Sequence, residues 1–314
     1  MKRLMTWILA VSLTCVGSLE ASESPQCEVV RFADVGWTDV TMTTAVTRLL
    51  LGELGYRTQV SRLSLPETYA ALAGGKIDVF LGSWMPAQAA LAQPHLDTGR
   101  IEKLQTNLPV VRYTLAVLEP AYKAGLHDFA DIQRFQKELG GKIYGLERGN
   151  GGNKMVQSMI DGNVFGLQDF TLVESSENDM LNHVELAQRL GKSAVFLGWE
   201  PHPMNEQLRM SYLSGGDAYF GPNNGAAEVS TVARGGFSKD CQNLNQLFTN
   251  MTFTIASVSK LMAAVQEPNT NRRRVAKQWI KDNPGAVANW LKGVSLREGG
   301  AITTILGTPL ASAN

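Results

Sequence analysis

The chain has 314 residues, of which 44% are hydrophobic, and it carries 29 basic and 29 acidic side chains. This composition is typical of a globular protein, and it excludes a disordered chain and a bundle of membrane helices. The balanced charge offers no special attraction for nucleic acid or for anionic lipid. The length suits two domains of about 100–200 residues each.

Residues 1–21 have the pattern of a cleavable export signal. Two basic residues precede an apolar stretch over residues 4–13, and small or polar residues follow up to Ala21. The apolar stretch is shorter than the ~20 residues that span a bilayer. We predict cleavage after Ala21 and export to the periplasm, with a retained amphipathic anchor as the alternative. Cys15 follows Thr14, whereas lipid attachment prefers a small residue there, so we expect Cys15 to leave with the signal.

Strands and helices alternate through the first two thirds of the chain. Short β-prone apolar runs are followed by helical periodicity, and glycines separate them. The predicted strands are 28–33, 56–63, 77–81, 113–118, 142–146, 170–174 and 194–197. The predicted helices are 43–54, 66–73, 154–161, 178–190, 244–251, 258–265 and 271–283. The pattern indicates an α/β fold with mostly parallel sheets, which place ligands at the carboxyl ends of strands.

Two cysteines, Cys27 and Cys241, remain after removal of the signal. An even pair in an exported protein suggests a disulfide, and two buried free thiols are the alternative. Neither cysteine has a Cys or His partner at ligand spacing, so no metal site is expected.

Three tryptophans share one predicted context, a turn just past a predicted strand. They are Trp37, Trp84 and Trp199, and each is preceded within two residues by glycine, which permits a tight turn. Such a turn is a ligand-facing position, although any single tryptophan could be a packing residue. Trp279 and Trp290, on predicted C-terminal helices, are expected to be packing residues.

Clustered aromatic rings suit a quaternary ammonium ligand. Such a ligand has no N–H to donate, and the negative faces of aromatic rings attract its charge. The sequence has no Gly-x-Ser-x-Gly elbow, phosphate loop or His-Glu-x-x-His, so no catalytic residue is predicted. Glu200 and His202 flank Trp199 and could imitate an acid/base pair, but His202 lies between two prolines and is expected to be a structural turn residue.

The tryptophan-centred segments resemble the periplasmic substrate-binding proteins of the glycine betaine, proline betaine and choline ABC importer class, most of all its choline-binding members. The resemblance spans nearly the whole mature chain, and its segments are 34–39, 78–86, 112–116, 145–153, 196–205, 212–217 and 220–223. It implies a type II-like periplasmic binding protein fold, in which two Rossmann-like lobes are joined by two crossover segments with the ligand in the cleft. Lobe A would contain residues 22–111 and 209–314, and lobe B residues 112–208.

Position by position, the resemblance also implies a ligand-binding set. The aromatic box would consist of Trp37, Trp84, Tyr113 and Trp199. Asp39 and Asn150 would hold the polar end of the ligand, and Cys27 would be bonded to Cys241. The implied protein uses no cofactor, closes around its ligand by a hinge motion, and is a monomer in the periplasm of a Gram-negative bacterium. Its partner would be an inner-membrane ABC permease with its ATPase.

Asp39 and Arg148 favour different ligands. A carboxylate attracts a cation, accepts a hydrogen bond from a hydroxyl group and repels another carboxylate, so Asp39 favours choline. The alternative is that Asp39, or Thr38, is a helix cap. Arg148, together with Gly151 at a place where relatives often carry an acidic residue, could admit carnitine or glycine betaine. The alternative for Arg148 is a solvated surface charge.

Two other functional classes are weighed against an importer receptor. An exported enzyme acting on a choline-like amine would need a nucleophile or a general base in the cleft, and Asp39 is the only ionisable group that we place there. A sensor subunit that presents the ligand to a signalling partner could use the same fold. We predict the receptor.

Overall fold

The computed structural model describes residues 23–267 and 269–309. The predicted signal over residues 1–21, with Cys15, lies outside these ranges. The strands are β1 (Val29–Asp34), β2 (Arg57–Arg62), β3 (Val79–Met85), β4 (Ile101–Leu118), β5 (Lys142–Tyr144), β6 (Thr171–Val173), β7 (Val195–Glu200), β8 (Met210–Tyr212), β9 (Ala226–Arg234), β10 (Thr304–Ile305) and β11 (Thr308–Pro309).

Helices connect these strands and form the last third of the chain. They are α1 (Thr38–Glu53), α2 (Leu65–Ala73), α3 (Ala89–Leu96), α4 (Glu119–Lys123), α5 (Gln136–Leu139), α6 (Gly151–Asp161), α7 (Glu177–Arg189), α8 (Met204–Gln207), α9 (Asp217–Phe220), α10 (Pro222–Gly225), α11 (Phe237–Asp240), α12 (Gln242–Asn250), α13 (Ile255–Gln266), α14 (Arg272–Asp282) and α15 (Pro284–Trp290). Short 3-10 helices occupy Pro25–Cys27, Phe129–Phe135 and Val164–Asp169. None of the helices in the described ranges is long and apolar enough to cross a membrane.

The first nine strands form one mixed sheet in the order β2-β1-β3-β9-β4-β7-β5-β6, and β8 pairs with β4. β1 is parallel to β2 and β3, and β5 is parallel to β6 and β7. β4 and β9 are antiparallel to all their neighbours. The prediction of mostly parallel sheets is therefore wrong, because two parallel groups of strands are joined through an antiparallel centre.

The long strand β4 belongs to both groups. Its residues 101–112 pair with β9, and its residues 112–117 pair with β7. We call β1, β2, β3, β9 and residues 101–111 the first half of the sheet, and β5–β8 with residues 112–118 the second half. β8 pairs with the end of β4, so the chain still packs on the second half after residue 208. It returns to the first half with β9.

Each predicted strand and helix has a counterpart in the structure, and their limits differ at the ends. The strands β8–β11 and the helices α3–α5, α8–α11 and α15 were not predicted. β3 and β7 continue to Met85 and Glu200, beyond their predicted limits, and α1 begins at Thr38. The first part of β4 was not predicted. It mixes buried, half-buried and exposed positions without strict alternation, so it lacks the period of two that marks a strand.

The predicted disulfide is present between Cys27 and Cys241, whose Cα atoms are 5.7 Å apart. Both residues are buried, and the bond joins the segment before β1 to the junction of α11 and α12. The alternative of two free thiols is therefore wrong. Trp279 and Trp290 stack on each other with ring centroids 5.3 Å apart, which confirms them as packing residues.

Candidate functional site

A cavity lies between the two halves of the sheet. Four of its nine described lining residues are aromatic, and the Tyr113 phenol is the one ionisable side chain among these nine. The described residues that line it are Trp37, Trp84, Ala87, Gln88, Tyr113, Leu146, Asn150, Gly151 and Trp199. The structure thus brings together all four predicted box aromatics and Asn150. It does not place Asp39 or Arg148 on the cavity wall.

Two of the three cavity tryptophans lie in local structures other than those predicted. Trp37 follows β1 and occupies the N-cap position of α1, as a loop residue should. Trp84 and Trp199 lie inside β3 and β7, so their prediction as turn residues is wrong. Trp199 is directly opposite Tyr113 in the antiparallel β4–β7 ladder, and paired residues of such a ladder project on the same face of the sheet.

Close packing explains two glycines near the cavity. Gly82 lies within β3, where a Cβ atom would come within 2.4 Å of Cγ2 of Val40. A Cβ atom on Gly151 would come within 1.9 Å of the carbonyl oxygen of Ala87. Gly151 begins α6 in the second half, and Ala87 follows β3 in the first half. A side chain at position 151 would therefore force the two walls of the cavity apart.

Asp39 lies behind Trp84 rather than beside the cavity. It is buried in the first turn of α1, and its Oδ2 accepts a hydrogen bond of 3.2 Å from the indole Nε1–H of Trp84. Burial, and then the nearby charge of Glu177, raise the pKa of Asp39 to about 7. The N-cap position belongs to Trp37, which makes no side-chain cap, so the alternative of Asp39 or Thr38 as the cap is wrong.

A chain of hydrogen bonds joins Tyr113 to Trp37. The hydroxyl group of Tyr113 donates to Oδ1 of Asn150 at 2.7 Å, and Nδ2 of Asn150 donates to Oε1 of Glu147 at 3.2 Å. The other carboxylate oxygen of Glu147, Oε2, accepts from Nε1–H of Trp37 at 3.0 Å. Burial, followed by the charge of Glu147, raises the pKa of Tyr113 well above its usual value, so its hydroxyl group remains a donor.

Glu177 connects the second half of the sheet to the start of α1. It is buried, and its carboxylate accepts from the backbone N–H of Thr38 at 3.1 Å and from the Thr38 hydroxyl group at 2.5 Å. Nε2 of His202 lies 3.4 Å from the same carboxylate. Glu177 thereby accepts a hydrogen bond from a backbone N–H at the start of α1, where the N-cap residue Trp37 provides no side-chain acceptor.

Arg148 and the residues around Trp199 have other roles. The Arg148 side chain is 93% exposed and lies 3.7 Å from Glu174, which fits the interpretation as a solvated surface charge, and its secondary ligand-binding role stays a prediction. Nδ1 of His202 accepts the backbone N–H of Met204 at 3.0 Å, as expected of a structural turn residue. Within the described ranges, no three His, Cys, Asp or Glu residues are grouped to hold a metal ion.

The sequence prediction missed the two carboxylates Glu147 and Glu177. Glu147 lies in segment 145–153, which carries part of the family resemblance, but only the fold brings it into contact with Trp37, 110 positions away. Glu177 is the first residue of α7, where an acidic side chain is common because it interacts favourably with the helix dipole. Its contact with Thr38 therefore could not be recognised from the sequence. Gln88, Leu146 and Gly151 also line the cavity without having been predicted.

Comparison with known proteins identifies the class. Residues 28–282 match the family described as the substrate binding domain of the ABC-type glycine betaine transport system. A solved ABC-transporter choline binding protein in complex with choline is 44% identical, with a TM-score of 0.86 over 88% of this chain and 96% of that chain. Lactococcal OpuAC, complexed with glycine betaine, is 21% identical with a TM-score of 0.76 over 84% and 99% of the chains, a likeness of fold. The glycine betaine/carnitine transport binding protein GbuC of Listeria monocytogenes is 28% identical over 53% of this chain, and the match spans about half of that protein, 56%.

The chain belongs to this family of substrate-binding domains, and the predicted two-lobed periplasmic binding protein fold is confirmed. It is the substrate-binding component of an ABC transporter and not an enzyme. Proteins of this family act in the periplasm or outside the cell, and they deliver a ligand to a membrane permease.

Proposed function

We propose that the protein binds a quaternary ammonium compound, and choline before others, in the aromatic cavity. The observation that carries the proposal is the convergence of Trp37, Trp84, Tyr113 and Trp199 on one space whose described lining contains no Asp, Glu, Lys or Arg side chain. A trimethylammonium group needs no hydrogen-bond acceptor, and each ring face contributes ~2 kcal/mol to its binding when water is excluded. The likeness to the choline binding protein supports this ligand.

The polar end of choline would meet Asn150, and the carboxyl group of Asp39 would act from behind Trp84. Nδ2 of Asn150 uses one of its two N–H groups on Glu147, so the second remains for a ligand hydroxyl group. Asp39 lies one indole away and contributes negative charge. No Lys or Arg among the described residues lines the cavity to pair with the carboxylate of glycine betaine or carnitine. These zwitterions are the second candidates, and the similarity to the Listeria protein supports them.

The two halves of the sheet would be the two lobes. Strand pairing supports a lobe A of residues 22–111 and 226–314 and a lobe B of residues 112–225. The second crossover then lies near residue 225 rather than at 208/209, because β8 pairs with the end of β4. The bonds from Trp37 to Glu147 and from Thr38 to Glu177 join these lobes, so opening the cleft would break them.

We also propose the cellular setting that the sequence predicts. Removal of residues 1–21 would release a monomer into the periplasm of a Gram-negative bacterium, where it would serve an inner-membrane permease and its ATPase. The composition of the first residues supports the signal.

A comparison of two amines tests the proposal. Ethanolamine carries the charge and the hydroxyl group of choline, but it has three N–H donors that the rings leave without acceptors. Titration of the ligand-stripped protein, followed by tryptophan fluorescence, should give a Kd for choline at least tenfold below that for ethanolamine, about 1.4 kcal/mol. Equal binding of choline and ethanolamine, or binding of neither, would overturn the proposal.

A further inference from the structure

The inference rests on the proposed function and deepens it. We infer that Glu147 is a further specificity-determining residue of the cavity, which positions Trp37 and Asn150 and whose negative charge selects a cation over a neutral or zwitterionic ligand. Glu147 touches the cavity through these two neighbours and not through the ligand.

The geometry shows how Glu147 can position both walls. Its two carboxylate oxygens are used separately, one by the indole N–H of Trp37 at 3.0 Å and one by the amide of Asn150 at 3.2 Å. Oδ1 of Asn150 accepts from Tyr113 and from the backbone N–H of Gly152 at 2.9 Å, while Nδ2 donates to Glu147. These bonds at both ends of the amide fix its orientation, and the carboxylate supplies the one at Nδ2. One side chain therefore holds a ring of the first half of the sheet against the amide of the second half.

A shared pattern supports an electrostatic role. Two of the three cavity tryptophans donate their indole N–H to a carboxylate: Trp84 to Asp39 and Trp37 to Glu147. A hydrogen bond to an anion draws the indole proton away and makes the ring face more negative, which strengthens its attraction for a cation. Trp290, which packs in the C-terminal region, donates instead to the neutral backbone carbonyl of Thr252.

The charge of Glu147 is not neutralised locally. Within the described part of the chain, no Lys or Arg side chain lies within 4.0 Å of its carboxylate. Its neighbour Arg148 points outward to Glu174 instead. Glu147 is half-buried, so solvent screens its charge less than that of an exposed residue. Its charge also contributes to the raised pKa of Tyr113, so the electrostatic potential of Glu147 acts on a residue that lines the cavity.

The test separates charge from shape with three ligands. Choline, glycine betaine and dimethylbutanol, the neutral carbon isostere of choline, are titrated into the wild-type protein and into Glu147→Gln, Glu147→Asp and Glu206→Gln. Glutamine removes the charge and keeps an acceptor for Trp37, whereas aspartate keeps the charge and changes the reach. Glu206→Gln removes a charge from an exposed position on α8 and is the matched control.

In Glu147→Gln, the preference for choline over dimethylbutanol should fall about tenfold, as loss of a charge within several ångströms predicts, and the preference for choline over glycine betaine should fall in parallel. Glu147→Asp should weaken all three ligands and keep both ratios within about twofold. Glu206→Gln should change neither Kd nor ratio.

Unchanged ratios in a folded Glu147→Gln protein would overturn the inference and leave the proposed function intact. Failure of the wild-type protein to bind choline would instead remove the proposed function. If Glu147→Gln does not fold, Glu147→Ala replaces it with the same expected ratios, and circular dichroism confirms the fold of each variant.

Discussion

The described residues contain two groups of tryptophans that are similarly buried but have different partners. Trp37, Trp84 and Trp199 are 8%, 6% and 5% exposed, and Trp279 and Trp290 are 8% and 2% exposed. The first group lines a cavity, whereas the second stacks ring on ring at an interplanar angle of 18° beside Phe253. Burial alone therefore does not separate a binding residue from a packing residue.

The partners of the rings make the distinction. In the cavity, two indole N–H groups are held by carboxylates and the ring faces border empty space. In the C-terminal pair, the two rings stack on each other and Phe253 packs against both, and the N–H of Trp290 bonds to a backbone carbonyl. The comparison predicts that substitutions in the first group lower affinity, and that substitutions in the second lower stability.

The largest effect should come from Trp290→Ala. This change leaves a void beside Trp279 and Phe253 and should reduce the free energy of unfolding by about 4 kcal/mol. Urea unfolding measures the loss, and titration of the folded variant with choline should give the wild-type Kd. If folded Trp290→Ala binds choline more weakly than the wild-type protein does, the division into binding and packing tryptophans is contradicted.

Removal of the disulfide extends the comparison to a second structural feature. The double variant Cys27→Ser/Cys241→Ser loses a cross-link over 214 positions and should be less stable by about 3 kcal/mol. The bond lies outside the cavity lining, so the choline Kd should stay within about twofold. Wild-type protein under reducing conditions provides the control, and a large loss of affinity in either sample would mean that the bond positions the cavity.

Trp84→Ala and Trp199→Ala should show the opposite behaviour. Each should weaken choline binding about thirtyfold, roughly 2 kcal/mol, through loss of a desolvated cation–π contact. Because one side of each ring already faces the cavity, the proteins should remain folded. Normal binding by both variants, measured by calorimetry, would remove the aromatic box from the account.

The smallest effect concerns the carboxylate behind Trp84. The pKa of Asp39 is about 7 in the folded protein and 3.8 ordinarily, so the unliganded protein should lose stability as the pH rises from about 4 to 7. A bound cation favours the ionised carboxylate, so choline affinity should rise with pH through about 7. Asp39→Asn should remove both dependences, raise unliganded stability at pH ~8 by about 1 kcal/mol, and weaken choline binding about tenfold there.

Parallel pH series of unfolding and titration check this prediction, with the wild-type protein and Asp39→Asn compared at each pH. A wild-type protein whose choline affinity does not change between pH ~5.5 and ~8 would show that Asp39 does not act on the ligand.

The sequence predicted the cavity better than its surroundings. Periodicity identified the strands that carry Trp84, Tyr113 and Trp199, and the motifs identified these residues as a set. Placement of Trp84 and Trp199 within strands was not predictable, because short apolar runs do not mark where a strand ends. The contacts of Glu147 and Glu177 join residues more than 100 positions apart, and the 93% exposure of the Arg148 side chain is a property of the folded chain. Local pattern contains none of this information.

Calorimetric titration of the ligand-stripped protein with choline, glycine betaine and carnitine under matched conditions tests the central claim most directly. The account predicts that choline binds tightest, by about tenfold or 1.4 kcal/mol, because the carboxylates Asp39 and Glu147 lie behind the rings and no described cationic side chain lines the cavity. Tighter binding of either zwitterion would contradict the claim that the cavity selects a cation.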